Sequence, residues 1–526
     1  MSQKIYNTSL ILLLIYLITG IYLSLNTGIS HDEYHEQLNW EINLKAIKNF
    51  FETGYYNELL EYKDRYHGIG FNFLSQPFQY LIKDFVLDYL DVNEYGSILI
   101  SKHPIIFILF FISGLFFYKI CLIFFNKKNF ALISLFIFLL YPYFLGHSLI
   151  NPKDIPFLSF WIISTYVACK IIKKLNKEES IPIKYIVYLS ISASFLISIR
   201  IVGILILLQF LIFIITFCEI KNKSFLNLIK NNIKNFFILF FTFVLFLYFL
   251  NPIFWHDPRE IINSLKWMSK YQQDVSTLTL GEYMKALNLP ANYYFIWLFF
   301  KLPILIILGF LLFPFIEKKF HKNNLNKILT YSLIFTCLII LFLFILFEVA
   351  IYNEIRHVMF LIPLIFIVSL NNLYLWSKKF YYFTGVLVII FFVVENISIN
   401  PYQYTWMNSF SKFYKINKNF EVDYWGISNK SLYTSIDEHS SKNNFNKNNC
   451  VYGDQYSKVF LENQKFKCFK MYSELDAAKE RPYYVMQNHR NLKRSNPKDC
   501  KQISSENYNY SFSNQKIKVG SAWYCD

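Results

Sequence analysis

Charge is scarce in this chain of 526 residues: Asp, Glu, Lys and Arg make up 17%, against 54% hydrophobic and 20% aromatic residues. A soluble chain of this length carries more charge and divides into several domains. Glycine and proline are also sparse, at 15 each, while Phe, Ile, Lys, Asn and Tyr abound. That bias matches the codon usage of an AT-rich genome, so a single Lys or Asn carries little information by itself. Strands of period-two alternation are missing, which excludes a closed membrane barrel. No internal repeat of the transporter kind is visible. The first apolar run lacks a small-residue cleavage site and is too long for a signal core, so it reads as a retained span. The net charge of +16 does not point to nucleic acid, because the lysines are scattered over short connections between apolar runs.

Those runs are the dominant feature. They last roughly 16–24 residues, enough to cross a hydrocarbon core of about 30 Å. They begin near Ser9, Pro104, Phe130, Ile155, Ile183, Ile201, Phe236, Tyr293, Ile328, Val358 and Tyr381. The expectation is an all-α polytopic membrane protein with about eleven spans. Alternate connections, such as "NKKN", "KIIKKLNKEES" and "EKKFHKNNLNK", are lysine-rich and therefore cytoplasmic, together with the N-terminus. The first loop (26–103), "GHSLINPKD", the loop that begins "NPIFWHDPRE" and the tail then share the extracytoplasmic face. The chain divides into a membrane core, 1–395, and an extracytoplasmic domain, 396–526, expected to be a small α/β unit. Four cysteines fall in that tail, Cys450, Cys468, Cys500 and Cys525. They favour disulfides with three possible pairings, and the absence of a CxxC pair argues against zinc.

The polar constellations stand out against this apolar background. "SHDEYHEQLNW" follows the first span and brings Asp32 and Glu33 together, flanked by aromatics and histidines. The stretch after it, "EQLNWEINLKAIKNFFETG", reads as an amphipathic interfacial helix roofing the acids. "GHSLINPKDIPF" holds His147, Lys153 and Asp154 in a turn punctuated by prolines. Asp154 also suits the N-terminus of the following span, where a carboxylate is favoured in any case. Arg200 in "FLISIRIVG" and Arg356 with His357 in "NEIRHVMF" interrupt apolar sequence. An arginine so placed seeks a carboxylate or a phosphate, and for these two a phosphate is the favoured partner. Lys301 in "FFKLP" is expected to snorkel.

In this order and with this shared sidedness, the acidic pair after the first span, "NPKDIPF", "GEYMKALNLPANYYFIWLFFKLP", "RHVMFLIP" and "EVDYWGIS" resemble the C-type (GT-C) membrane glycosyltransferases. The resemblance is to the family 39-like group, which includes protein O-mannosyltransferases and the aminoarabinose transferases that modify lipid A, and it spans nearly the whole chain. It implies a multi-pass protein of the bacterial inner (plasma) membrane. This protein would transfer a sugar from a polyprenyl-phosphate donor to an envelope lipid, polysaccharide or protein. It also implies that the first-loop acid, Asp32 with Glu33 beside it, is the catalytic base and that Asp154 matches the second acidic motif. Lys153, Arg200 and Arg356 would hold the carrier phosphate, with His147 and His357 near the substrate. Some members bind a divalent metal such as Mg2+ or Mn2+ with these acids and others do not, and the sequence leaves that open.

Two other readings compete. A lipid or solute transporter would carry its charges near the bilayer midplane, on broken or repeated helices. A membrane zinc hydrolase would use His31 and His35, which are i and i+4 on one helical face. Asp32, however, is shorter than the glutamate such sites carry, and no third ligand is evident.

Overall fold

The computed structural model describes residues 3–90, 92–269, 275–322, 324–443, 449–454, 466–477, 481–488 and 496–526. Among them, eight helices are long and apolar enough to span a membrane: Asn7–Asn26, Glu94–Phe125, Asp154–Asn176, Ile201–Lys221, Ile233–Leu250, Asn324–Leu346, Arg356–Trp376 and Lys378–Ser398. Two bent pairs raise the number to as many as ten: Lys128–Leu140 with Pro142–Ser148, at 59°, and Asn292–Lys301 with Ile304–Leu311, at 118°. Proline explains both bends, since Pro142 and Pro303 cannot donate the backbone hydrogen bond that would carry the helix through. Ile183–Ile199 is a shorter apolar helix of 17 residues. All eleven runs expected from the sequence are therefore helical, although three of them are bent or short.

Burial orders the bundle. Arg356–Trp376 is its axis, 94% buried, whereas Ile233–Leu250 is only 11% buried and turns its phenylalanines outward. The first-loop helix, His31–Thr53, has two unlike faces. Its inward face is polar, with Gln37, Asn39 and Asn43 buried, and its outward face carries Leu38, Leu44 and Phe51. The cause is its polar neighbours: Tyr62 donates to Asn39 at 2.6 Å, and Asn72 donates to the carbonyl of Glu36 at 3.1 Å.

The tail does form a small α/β unit. Strands β3 (Cys450–Gly453), β4 (Cys468–Met471), β5 (Tyr483–Asn488), β6 (Cys500–Tyr508) and β7 (Ile517–Cys525) make one sheet in the order β4-β3-β5-β7-β6. A helix, Asn429–Lys442, packs on that sheet. Of the three pairings open to the four cysteines, the structure has Cys450–Cys468 and Cys500–Cys525, each joining residues directly opposite on neighbouring strands. The strands β1 (Ser276–Thr279) and β2 (Glu282–Lys285) form a separate antiparallel ribbon.

The segment 399–427 straps the tail to the spans. Most of its large apolar residues are buried in the same core as the membrane helices, with Trp406 edge-on to Tyr141 at 5.4 Å and Trp425 edge-on to His147 at 4.9 Å. Gly146 lets this strap approach: a Cβ there would stand 2.0 Å from the backbone nitrogen of Tyr404.

Candidate active site

The first-loop helix begins with a local lock. The backbone N–H of Ser30 donates to Glu33 Oε1 at 2.7 Å, an N-terminal capping contact. Successive helical residues are about 100° apart around the axis, whereas residues four apart share a face. Asp32 and Glu36 therefore look one way and Glu33 the other, where its Oε2 meets His103 Nε2 at 2.7 Å in full burial. Glu33, adjacent to Asp32 in sequence, is thus separated from it in space.

The "NPKD" turn supplies the second wall. Asn151 Oδ1 accepts from the backbone N–H groups of Lys153 and Asp154, at 3.0 and 2.8 Å, and its amide donates to Asp154 Oδ2 at 2.9 Å. The two arginines arrive from breaks in apolar helices. Arg200 sits between Ile183–Ile199 and the 3-10 turn Ile201–Ile204, and Arg356 opens the 3-10 turn Arg356–Leu361.

These groups form one ion network. Arg356 Nη1 lies 2.5 Å from Asp32 Oδ2 and 3.3 Å from Asp154 Oδ2, and Arg200 pairs with the other oxygen of Asp154. Lys153 Nζ lies 2.6 Å from Glu36 Oε1 and donates to His67 Nδ1 at 3.3 Å. Three cations thus meet three carboxylates, of which Asp32 is the accessible one: its side chain is 30% exposed, against 4% for Asp154 and 10% for Glu36. Burial pushes the Asp32 carboxyl up, but the Arg356 guanidinium, helped by Arg200 and Lys153, outweighs it and holds the group at about 2. His67 is held well below the ordinary histidine range, by burial first and then by Lys153 and Arg200, and so accepts from Lys153 as a neutral ring.

The network opens into a cavity of about 530 Å³. Asp32, Glu36, Lys153, Arg200, Arg356 and His357 are among its lining residues. So are apolar side chains: Ile204 and Leu205, and Leu343, Phe344 and Phe347 at the end of the span Asn324–Leu346. Asp154 stands behind the arginines. His147 does not reach the cavity: it is fully buried, 3.0 Å from the Asn151 amide and 3.4 Å from the Tyr424 hydroxyl, and braces the turn.

Glu36, Asp64 and His67 also face the cavity and were not singled out from the sequence. The signal for Glu36 was its four-residue spacing from Asp32. Lys301 does not snorkel. It is fully buried, with Nζ 2.7 Å from Glu354 Oε1 and 4.6 Å from the centre of the Tyr143 ring.

Among the described residues, no three His, Cys, Asp or Glu side chains are arranged to hold a metal ion. His31 Nε2 faces Asp454 at 3.0 Å, and Asp32 and Asp154 share the guanidinium of Arg356. The residues present therefore fit neither the zinc pair nor a divalent-cation cradle in this arrangement.

The sequence matches no protein-family model and no curated protein. In fold, the chain is similar to ArnT from Cupriavidus metallidurans. In the structure bound to undecaprenyl phosphate, the identity is 11% and the TM-score 0.46, over 100% of this chain and 98% of that one. In the apo state the values are 10% and 0.46, over 99% and 98%. The archaeal oligosaccharyltransferase AglB from Archaeoglobus fulgidus, in complex with an inhibitory peptide and a dolichol-phosphate, is similar at 12% identity and a TM-score of 0.41, over 86% of this chain and 63% of that one. Likeness of this degree assigns no residue a role.

Proposed function

We propose that this chain is an inverting membrane glycosyltransferase, with Asp32 as general base. It takes a sugar from a polyprenyl-phosphate donor and passes it to an envelope lipid, polysaccharide or protein on the extracytoplasmic face of the inner membrane. The observation that carries this reading is a cavity lined both by a charge-balanced network, with Asp32 its exposed carboxylate, and by apolar side chains. A phosphate at Arg356 and a prenyl chain along Ile204, Leu205 and Phe347 match those two kinds of lining. The lysine-rich connections at the far ends of the spans support the sidedness.

The chemistry follows from the charges. The acceptor hydroxyl gives its proton to Asp32 while its oxygen bonds to the anomeric carbon. The bond from that carbon to the phosphate oxygen breaks, and the electron pair leaves with the phosphate through an oxocarbenium-like state. The departing phosphate rises from one negative charge toward two, and fixed guanidinium groups stabilise that increase. One base with no partner nucleophile gives inversion.

In the resting network Arg356 is already occupied by Asp32, so the donor phosphate must displace the carboxylate to bind. Displacement frees the base and returns its pKa toward the ordinary aspartate range, near 4. The pH dependence follows with its sign. A carboxylate held at about 2 stays ionised in the free enzyme, so kcat/KM for the donor remains flat on the acid side until the protein unfolds. The released carboxylate in the complex protonates near pH 4, so kcat declines there. Coincident acid limbs in the two profiles would contradict the displacement.

The function is tested by mass spectrometry of cell-envelope glycolipids and glycoproteins, with and without the protein. A sugar-bearing species should vanish without it and return with the wild type. Movement of a lipid across proteoliposomes without covalent change would favour transport instead.

A further inference from the structure

We infer that the C-terminal sheet domain sets the position of the catalytic base, with Asp454 as the positioning residue acting through His31. This rests on the reading of Asp32 as a base that competes with the donor phosphate for Arg356.

His31 is the first residue of the first-loop helix and the immediate neighbour of Asp32. It is 4% exposed, and the tail holds it at three points. Its backbone N–H donates to the carbonyl of Trp425 at 3.3 Å. Its Nε2 lies 3.0 Å from Asp454 Oδ2. The third point is Gly426, whose φ is +70°, where a Cβ would stand 2.7 Å from the same Nε2. Only glycine leaves room for the ring.

Asp454 is itself held. It directly follows β3, whose Cys450 is bridged to Cys468, and Asn488 at the end of β5 donates to its Oδ2 at 3.1 Å. The cross-linked sheet thus presents a fixed carboxylate to His31, and the helical backbone transmits that position one residue on. Positioning at this precision has a large effect on rate, because a base displaced by about 1 Å costs on the order of a hundredfold. Asp454 is neither a lining residue of the cavity nor a member of the ion network, and it reaches the cavity wall only through His31.

The experiment measures binding of undecaprenyl phosphate to the full-length protein in phosphatidylcholine nanodiscs. If Asp454 holds Asp32 on Arg356, Asp454→Asn loosens that pair and frees the guanidinium. The lipid phosphate then binds about threefold tighter, while transfer in cells falls about tenfold. Asp454→Glu keeps the charge and restores both toward wild type. In an Asp32→Asn background, Asp454→Asn changes affinity no further. A purely structural role predicts the opposite, a loss of affinity in either background.

Unchanged affinity in Asp454→Asn alongside tighter binding in Asp32→Asn overturns this inference and leaves the catalytic reading standing. Unchanged affinity in Asp32→Asn overturns the phosphate competition, and the inference with it. Gly426→Ala displaces His31 from a different residue and must give the same tightening. If Asp454→Asn does not fold, it decides in its place.

Discussion

Asp32→Asn is expected to abolish sugar transfer and, in the same protein, to tighten its hold on a polyprenyl phosphate. Loss of transfer follows from loss of the base, an effect of about 10²–10⁴-fold. Tighter binding follows from the resting network. Arg356 Nη1 is engaged by Asp32 at 2.5 Å, and asparagine, the same size but uncharged, releases it. A hydrogen bond to a charged group contributes about 1.5–3 kcal/mol, so recovering even the lower figure for the phosphate improves affinity about tenfold. Titration of undecaprenyl phosphate against wild type and variant in nanodiscs measures this directly. Weaker binding by the variant would mean that the phosphate does not use Arg356.

The second large effect concerns stability. Lys301 and Glu354 form an ion pair with no exposure to solvent. Replacing Lys301 by methionine leaves a buried carboxyl without its cation and costs about 3–5 kcal/mol. Burial already pushes Glu354 up, and even against the pull of Lys301 it stands at about 7. Without the lysine it rises further. A carboxyl whose pKa is higher folded than unfolded is most stabilising below the unfolded value, and that contribution is lost as pH rises through the folded value. The melting temperature of Lys301→Met should therefore drop more at pH 8 than at pH 5, and Lys301→Met/Glu354→Leu should recover most of the loss. A deficit independent of pH would show that the cost lies in packing. The pair stands two residues before Arg356, on a backbone held at positive φ, 54° at Asn353 and 66° at Glu354. Its effect should therefore reach the active site too.

Much of this was legible because charges in apolar sequence need partners. Arg200 and Arg356, each isolated among hydrophobic residues, announced an anion, and Asp32 and Asp154 are the carboxylates they meet. The helical runs were equally plain, since length and hydropathy decide them. Helix geometry set the limit. Glu33 was grouped with Asp32 because they are adjacent, yet adjacent helical residues point apart, and the better companion was Glu36. Lys301 has the local look of a snorkelling side chain because its partner lies 53 positions away, a pairing that only the fold creates. His67 and Asp64 sit in a loop with unremarkable polar neighbours, and nothing local marks them. The tail's burial was hidden because its aromatic residues are too common in this chain to stand out.

The strap between the spans and the sheet has a further consequence, for synthesis. Lys430 donates to the carbonyl of Asn26 at 2.7 Å across 404 positions of sequence, and Trp425 closes on His31 nearby. The first loop emerges early in translation, yet these two contacts come from residues made roughly 20–80 s later at about 5–20 residues per second. A nascent or prematurely terminated chain therefore lacks the tail's hold on Asn26 and His31.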